Sequence, residues 1–263
     1  MQTDRAQGGT FDDLDVADCY RHRPPYAPAL FQRLLTLTPG RARALDLGCG
    51  PGKIACVLAD HFSSVDAVDP AAAMIVVGRE RYAERHPNIS WITAPAESAP
   101  IAGPYDLVTA GTSLHWMHHE VVFPRMEAAL APAGWLAVID GDGAYEPPWA
   151  EEWPQFLEPW LIRMGAGRFD ARGFDAAVRS YASWLDAAGD ETFTFIHTSS
   201  IEAFIACEHS RATFTRSRMG QALARAFDDD LRAFLAPYAS DGVVAYPVRS
   251  RLIWGRPRLE AAI

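Results

Sequence analysis

The segment Leu45-Asp46-Leu47-Gly48-Cys49-Gly50-Pro51-Gly52 is an apolar run that ends in closely spaced glycines and opens a helical pattern. Glycine lets the backbone turn sharply and approach a ligand, and the free amides of a helix N-terminus face an acceptor. Three ligand classes use such a turn. A phosphate-cradling GxxxxGK[ST] loop fails at two positions: counting back from Gly52-Lys53 puts Leu47 where the first glycine belongs, and Ile54 follows the lysine. The dinucleotide pattern GxGxxG fails because the third glycine comes one residue early, and Asp46 would aim negative charge at a pyrophosphate. A cationic ligand without phosphate turns that same carboxylate into an attraction.

Other residues along the chain have types suited to a site. Asp69 lies about 20 residues past the turn, where a carboxylate accepts from both hydroxyls of a ribose. It also suits a helix N-cap before Pro70, and it does not choose between nucleotide classes. Thr109-Ala110-Gly111 and then Ser113-Leu114-His115-Trp116 combine small residues with an imidazole that can take a proton or simply orient a substrate. His118, His119 and Glu120 have metal-ligand types without HExxH spacing, so no metal is expected. Arg211, Arg216 and Arg218 form a local basic cluster able to grip a carboxylate in two-pronged fashion, or to coat a solvated helix face.

The elements that must position these residues alternate strand and helix. Candidate strands are Ala44 to Leu47, Val65 to Val68, Ile89 to Ile92, Asp106 to Thr109 and Trp135 to Ile139, at βαβ spacing. Ile54, Val57, Leu58, His61 and Phe62 recur at helical spacing after the glycine turn. A second helix runs from Pro70 through Met74 and Val77 toward His86, and Pro87 and Asn88 stop it. Residues 141–190 read as a helical cap insert carrying Trp149, Trp153, Trp160, Phe169, Phe174 and Trp184, aromatics that suit either a pocket roof or a core. Thr192 to Thr198 and Val243 to Trp254 read as strands around helices at Ile201 to Cys207 and Gln221 to Leu235, which places a late antiparallel strand at the sheet edge. The expected fold is α/β: a doubly wound, mostly parallel sheet with an antiparallel last strand and a helical cap. It forms a single domain over 1–263, with an N-terminal helical segment over 1–43, a ligand-binding core over 44–140 and the rest of the sheet over 191–263.

At 263 residues and 49% hydrophobic, the chain can bury a large core. Its net charge of -9, with no basic block, argues against nucleic acid as partner. Four scattered cysteines without CxxC spacing point to reduced thiols, and no apolar run reaches membrane-spanning length, so a cytoplasmic protein with no membrane partner is expected.

Taken in order, DLGCGPG, VDAVDP, APAES, YDLVTAGTSLHWM and LAPAGWLAVID resemble the class I S-adenosylmethionine-dependent methyltransferases, whose fold is Rossmann-like. S-adenosylmethionine carries a sulfonium and an ammonium and no phosphate, as the acidic glycine turn requires. Within the class the chain is similar to the small-molecule group around trans-aconitate methyltransferase, and YRHRPPYAPALF resembles that group's N-terminal RPxYP segment. The resemblance implies that Asp46 and Gly48, Cys49, Gly50 and Gly52 hold the methionine part. By the same resemblance Asp69 and Pro70 lie at the ribose, and Met74, Ala96 and Glu97 surround the adenine. Pro95 stands where many relatives place an aspartate for the adenine amine, so Glu97 and backbone groups take that duty. Tyr20 and Arg23 lie over the cofactor, Ala110 and Gly111 floor the transfer site, and His115 faces the acceptor. The reaction implied is methyl transfer to an O, N or C nucleophile of a small molecule. An idle protein of the same fold that senses the cofactor or a nucleotide is the second reading. Neither the acceptor nor the oligomeric state is legible.

Overall fold

The computed structural model describes residue 9, residues 11–166 and residues 179–259. Two helices, α1 (Leu14–Tyr20) and α2 (Pro28–Leu37), precede the sheet. Then come β1 (Arg43–Leu47), α3 (Ala55–Ala59), β2 (Ser64–Asp69), α4 (Ala72–Tyr82), β3 (Ile89–Thr93), β4 (Tyr105–Gly111), α5 (His119–Ala129) and β5 (Leu130–Asp140). The chain continues with α6 (Trp153–Arg163), β6 (Leu185–Ser200), α7 (Ile201–His209), α8 (Arg216–Leu235) and β7 (Val243–Pro257). The seven strands form one sheet in the order β3-β2-β1-β4-β5-β7-β6. The first five strands pair in parallel, and β7 runs antiparallel to both its neighbours. The order reverses between β1 and β4, and open α/β sheets bind ligands at the carboxyl ends beside such a point.

Strand alternation divides the core. Ala44, Val65 and Leu107 pack under Leu30 and Leu34 of α2 and Leu58 of α3 on one face. Leu45, Leu47 and Val108 pack against Val122, Phe123 and Met126 of α5 on the other. Each such large side chain, when fully buried, contributes about 1.5–3 kcal/mol. A third cluster sits away from these layers, where Trp149, Trp160, Phe204, Phe227 and Leu231 close on Val244, Tyr246 and Val248 of β7.

Two expectations change in extent. β6 begins at Leu185, inside the range read as cap, because its polar first half still pairs with β7 from Leu185↔Pro257 onward. The helix expected over Ile54 to Phe62 is only the five residues of α3, followed by turns. Trp149 and Trp160 are 1% and 2% exposed, which makes them core of the third cluster. Phe169 and Phe174 lie outside the described residues.

Candidate active site

The glycine turn is built against the strands beside it. The amides of Gly48 and Cys49 both donate to Val68 O, at 2.8 and 3.0 Å, which draws the turn across the end of β2. Gly48 (φ +65°) and Gly52 (φ +86°) adopt a backbone that side chains rarely take. They also have no room for one: a Cβ would lie 2.4 Å from Ser113 Cβ at Gly48 and 2.4 Å from Trp91 Cη2 at Gly52. Gly50 differs, since a Cβ there meets nothing nearer than Tyr20 Cε1 at 4.0 Å. Gly50 is therefore the open face of the cradle, and Tyr20 is its cover. Cys49 is buried, its thiol pushed well above the usual range by burial, and its Sγ contacts Gly50 O.

The two acidic residues sit differently. Asp69 Oδ2 accepts from Gly50 N–H at 2.8 Å and Oδ1 accepts from Ala71 N–H at 2.9 Å, so it braces the glycine turn and closes a short turn ahead of α4; the N-cap of that helix is Ala71, which has no side-chain cap bond, so the expected capping by Asp69 does not occur. Pro70 between them is exposed. Asp46, expected at the methionine part, is 1% exposed. Its Oδ1 accepts from Thr109 Oγ1 at 2.8 Å and its Oδ2 from Ala55 N–H at 3.2 Å, so it ties β4 and the start of α3 beneath the turn. Burial pushes its carboxyl up to about 7.

Met74, expected at the adenine, is buried with Ala17, Ala71 and Ala73, against Phe11 and Tyr20. Phe11 meets Tyr20 and Trp116 edge-on, and Asp12 Oδ1 accepts from Ala72 N–H at 2.9 Å, so the N-terminal segment lies across α4. Ala96 is buried, and Glu97 Oε1 accepts from His118 N–H at 2.8 Å, which ties one of its oxygens to the loop before α5. At the end of β4, Ala110 is fully buried and the space beside Gly111 is filled by Ile54 and Tyr26: a Cβ there would lie 2.5 Å from Ile54 Cδ1 and 3.0 Å from Tyr26 Oη. His115 sits in the short 3-10 turn Leu114–Trp116, half-buried against the Trp116 ring.

A charged cluster joins the expected Tyr20, Arg23 and Arg211 to Lys53 and Asp142, which sequence reasoning does not single out. Lys53 Nζ donates to Asp142 Oδ2 at 2.9 Å and to Pro24 O at 2.8 Å. Arg23 lies over the Tyr20 ring at 4.0 Å, donates to Ser210 Oγ at 2.8 Å and stands 3.9 Å from Asp142. Burial pushes the Asp142 carboxyl up, but Lys53 and Arg23 outweigh it and hold the group at about 2. Arg211 joins from the end of α7, donating through Nε to both oxygens of the buried Glu208 at 3.0 and 2.9 Å. Its Nη2 stands 3.9 Å from where a Cβ would lie on Gly143. The other two arginines go elsewhere. Arg216 pairs with Asp15 at 3.1 Å, and Arg218 donates to Met164 O at 2.9 Å. The sequence signal for this cluster is Lys53 directly after the glycine turn of an acidic chain. Among the described residues no group of His, Cys, Asp and Glu could hold a metal ion.

A family described as "Methyltransferase domain" matches residues 44–134, the stretch that builds the glycine turn and β4. The trans-aconitate 2-methyltransferase of Methylobacterium nodulans is 30% identical over 245 residues, covering 91% of this chain and 91% of that protein. This chain belongs to the S-adenosylmethionine-dependent methyltransferases. The enzyme of the same name from Variovorax paradoxus is 38% identical over 130 residues, 43% of this chain, and the match spans about half (48%) of that relative's length. In fold the methyltransferase resembles a type II methyltransferase assignment from Anaeromyxobacter dehalogenans, with a TM-score of 0.64 at 22% identity, covering 89% of this chain and 96% of the other. The turn has room for a ligand at one point: Gly50 offers an open backbone face beside the Tyr20 ring, and its amide is held by Asp69.

Proposed function

We propose that this methyltransferase moves the methyl group of S-adenosylmethionine to a carboxylate oxygen of a small organic acid. The observation that carries the reading is Arg211. Its Nε is engaged by Glu208 while its Nη edge faces Gly143, in the same cluster as Lys53, Arg23 and the glycine turn. A guanidinium edge in that position takes a carboxylate bidentately. Full-length relatives named for trans-aconitate, a tricarboxylate, support the class of acceptor. The chain's net negative charge disfavours nucleic acid. The four cysteines are free thiols, which suits the cytoplasm.

When bound, the cofactor supplies a methyl group already activated by the sulfonium charge. The protein's part is positioning. Asp69 and the turn hold the nucleoside, Asp46 stiffens the turn from below, and Tyr20 with Arg23 covers it. Arg211 grips one acceptor carboxylate so that an oxygen meets the methyl group in line. That oxygen forms the new C–O bond as the S–C bond breaks, giving a methyl ester and S-adenosylhomocysteine. A carboxylate is ionised at neutral pH, so no proton leaves the acceptor and His115 orients it. The test is labelled-methyl transfer to trans-aconitate. Arg211→Met should raise the acceptor KM about tenfold or more while cofactor affinity stays unchanged, as loss of one charge-assisted pair requires. An unchanged KM in an active Arg211→Met enzyme would refute the assignment.

A further inference from the structure

The backbone is strained at Thr112, the residue just past the end of β4. Among the described residues, positive φ outside glycine occurs at Thr112 (+48°), Glu146 and Asp241, and Thr112 alone of these is β-branched. A β-branched residue there is a genuine outlier, and such a backbone persists only where its surroundings over-determine it.

Three contacts do so at Thr112. Its N–H donates to Ile139 O at 2.9 Å, fixing it to β5. Its Oγ1 lies 3.4 Å from the Tyr26 hydroxyl, within the N-terminal segment. Tyr26 is buried, and burial pushes its hydroxyl well above the usual range, so it stays a neutral partner. The next residue, Ser113, donates to Leu47 O at 2.7 Å and packs against Gly48. The chain is thus pinned on both sides of one left-handed residue, and the turn that follows carries His115. An ordinary φ at this position would send that turn in another direction.

We propose that Thr112 is a positioning residue: its left-handed backbone, held by the Tyr26 hydroxyl, aims the His115 turn across the glycine loop toward the acceptor. The inference rests on the methyl-transfer reading for its kinetic consequence and on geometry for the rest. The strain is the means by which the N-terminal segment sets the imidazole, since losing Tyr26's hydroxyl frees Thr112 to relax.

The experiment uses the full chain saturated with S-adenosylhomocysteine and three variants. Thr112→Val keeps the branch but loses the hydroxyl, Tyr26→Phe removes its partner, and Thr112→Asn keeps a hydrogen-bonding side chain on a residue that tolerates left-handed backbone. The readout is the imidazole 1H–13C spectrum of the eight histidines, with His115 assigned by its absence in His115→Gln. Thr112→Val and Tyr26→Phe should each move the His115 signal, and Thr112→Asn should leave it near the wild-type position. With trans-aconitate as probe acceptor, the first two should lose about tenfold or more in kcat at unchanged cofactor Kd, since sub-ångström misplacement costs rate before binding. Thr112→Asn should recover most of that loss. A His115 signal that stays put in both Thr112→Val and Tyr26→Phe overturns the proposal, and Tyr26→Phe decides alone if Thr112→Val fails to fold. Should wild type leave trans-aconitate unmethylated, the acceptor assignment fails and the spectra still decide the role of Thr112.

Discussion

Asp46 makes stability depend on pH in a direction opposite to most carboxylates. Its side chain is 1% exposed and receives only two hydrogen bonds, so burial dominates and pushes its carboxyl to about 7 from an ordinary 3.8. A group raised on folding stabilises the fold while it is protonated: the contribution is complete below the unfolded value near 3.8 and is lost as pH rises through about 7. Roughly three units at 1.36 kcal/mol each make about 4 kcal/mol in all, of which about 2.5 kcal/mol falls between pH 5 and 8. Asp46→Asn keeps the shape and cannot ionise, so the comparison isolates this group from every other titration. Urea unfolding of both proteins at pH 5 and pH 8 measures it. The stability of Asp46→Asn relative to wild type should improve by about 2–3 kcal/mol on going from pH 5 to pH 8. A difference that stays constant within about 0.5 kcal/mol would refute the reasoning, because it would mean that water reaches the carboxylate or that its two donors hold it ionised throughout.

Asp69→Ala removes the brace on Gly50 and, on the proposed reading, the ribose acceptor, so calorimetric titration should show cofactor affinity down by at least about tenfold, at about 1.5 kcal/mol or more per charge-assisted bond. Gly48→Ala forces φ +65° on a side chain and a Cβ into Ser113, and thermal unfolding should report a loss of about 2–4 kcal/mol. His115→Gln should keep cofactor binding and turnover within about tenfold of wild type, with an unchanged pH profile. A loss of about 100-fold would make His115 a base.

Much of the sheet was legible because parallel strands buried on both faces are short β-branched runs with no competing helical period, as Val65 to Val68 and Val108 show. Extents were less so. LDAAGDE at the start of β6 has low strand propensity, yet it pairs because β7 runs alongside it, with a bulge between Ala187 and Gly189. β5 likewise begins at Leu130, ahead of the expected Trp135, because Leu130 pairs with Tyr105. Within the site, the glycine turn and Asp69 are local and were readable. The cluster of Arg23, Lys53, Asp142 and Ser210 was not, because Arg23 and Ser210 are 187 residues apart and Lys53 and Asp142 are 89 apart. The inward turn of Asp46 depends on Thr109 from another strand, and no spacing within DLGCGPG reports it.

The position of β7 has a consequence during synthesis. β5 acquires its second neighbour only when Arg251 to Gly255 pair with Leu136 to Asp140, about 110 residues later in the chain. At bacterial or eukaryotic elongation rates of about 5–20 residues per second, the nascent domain presents an open strand edge for roughly 5–20 s after β5 has left the ribosome. The sheet cannot close from the N-terminal side alone, so its completion waits on β7. Ribosome-bound chains stalled near residue 200 should therefore be cleaved by protease around β5 and captured by chaperones that bind unpaired strands, while chains stalled well past the last strand should resist both.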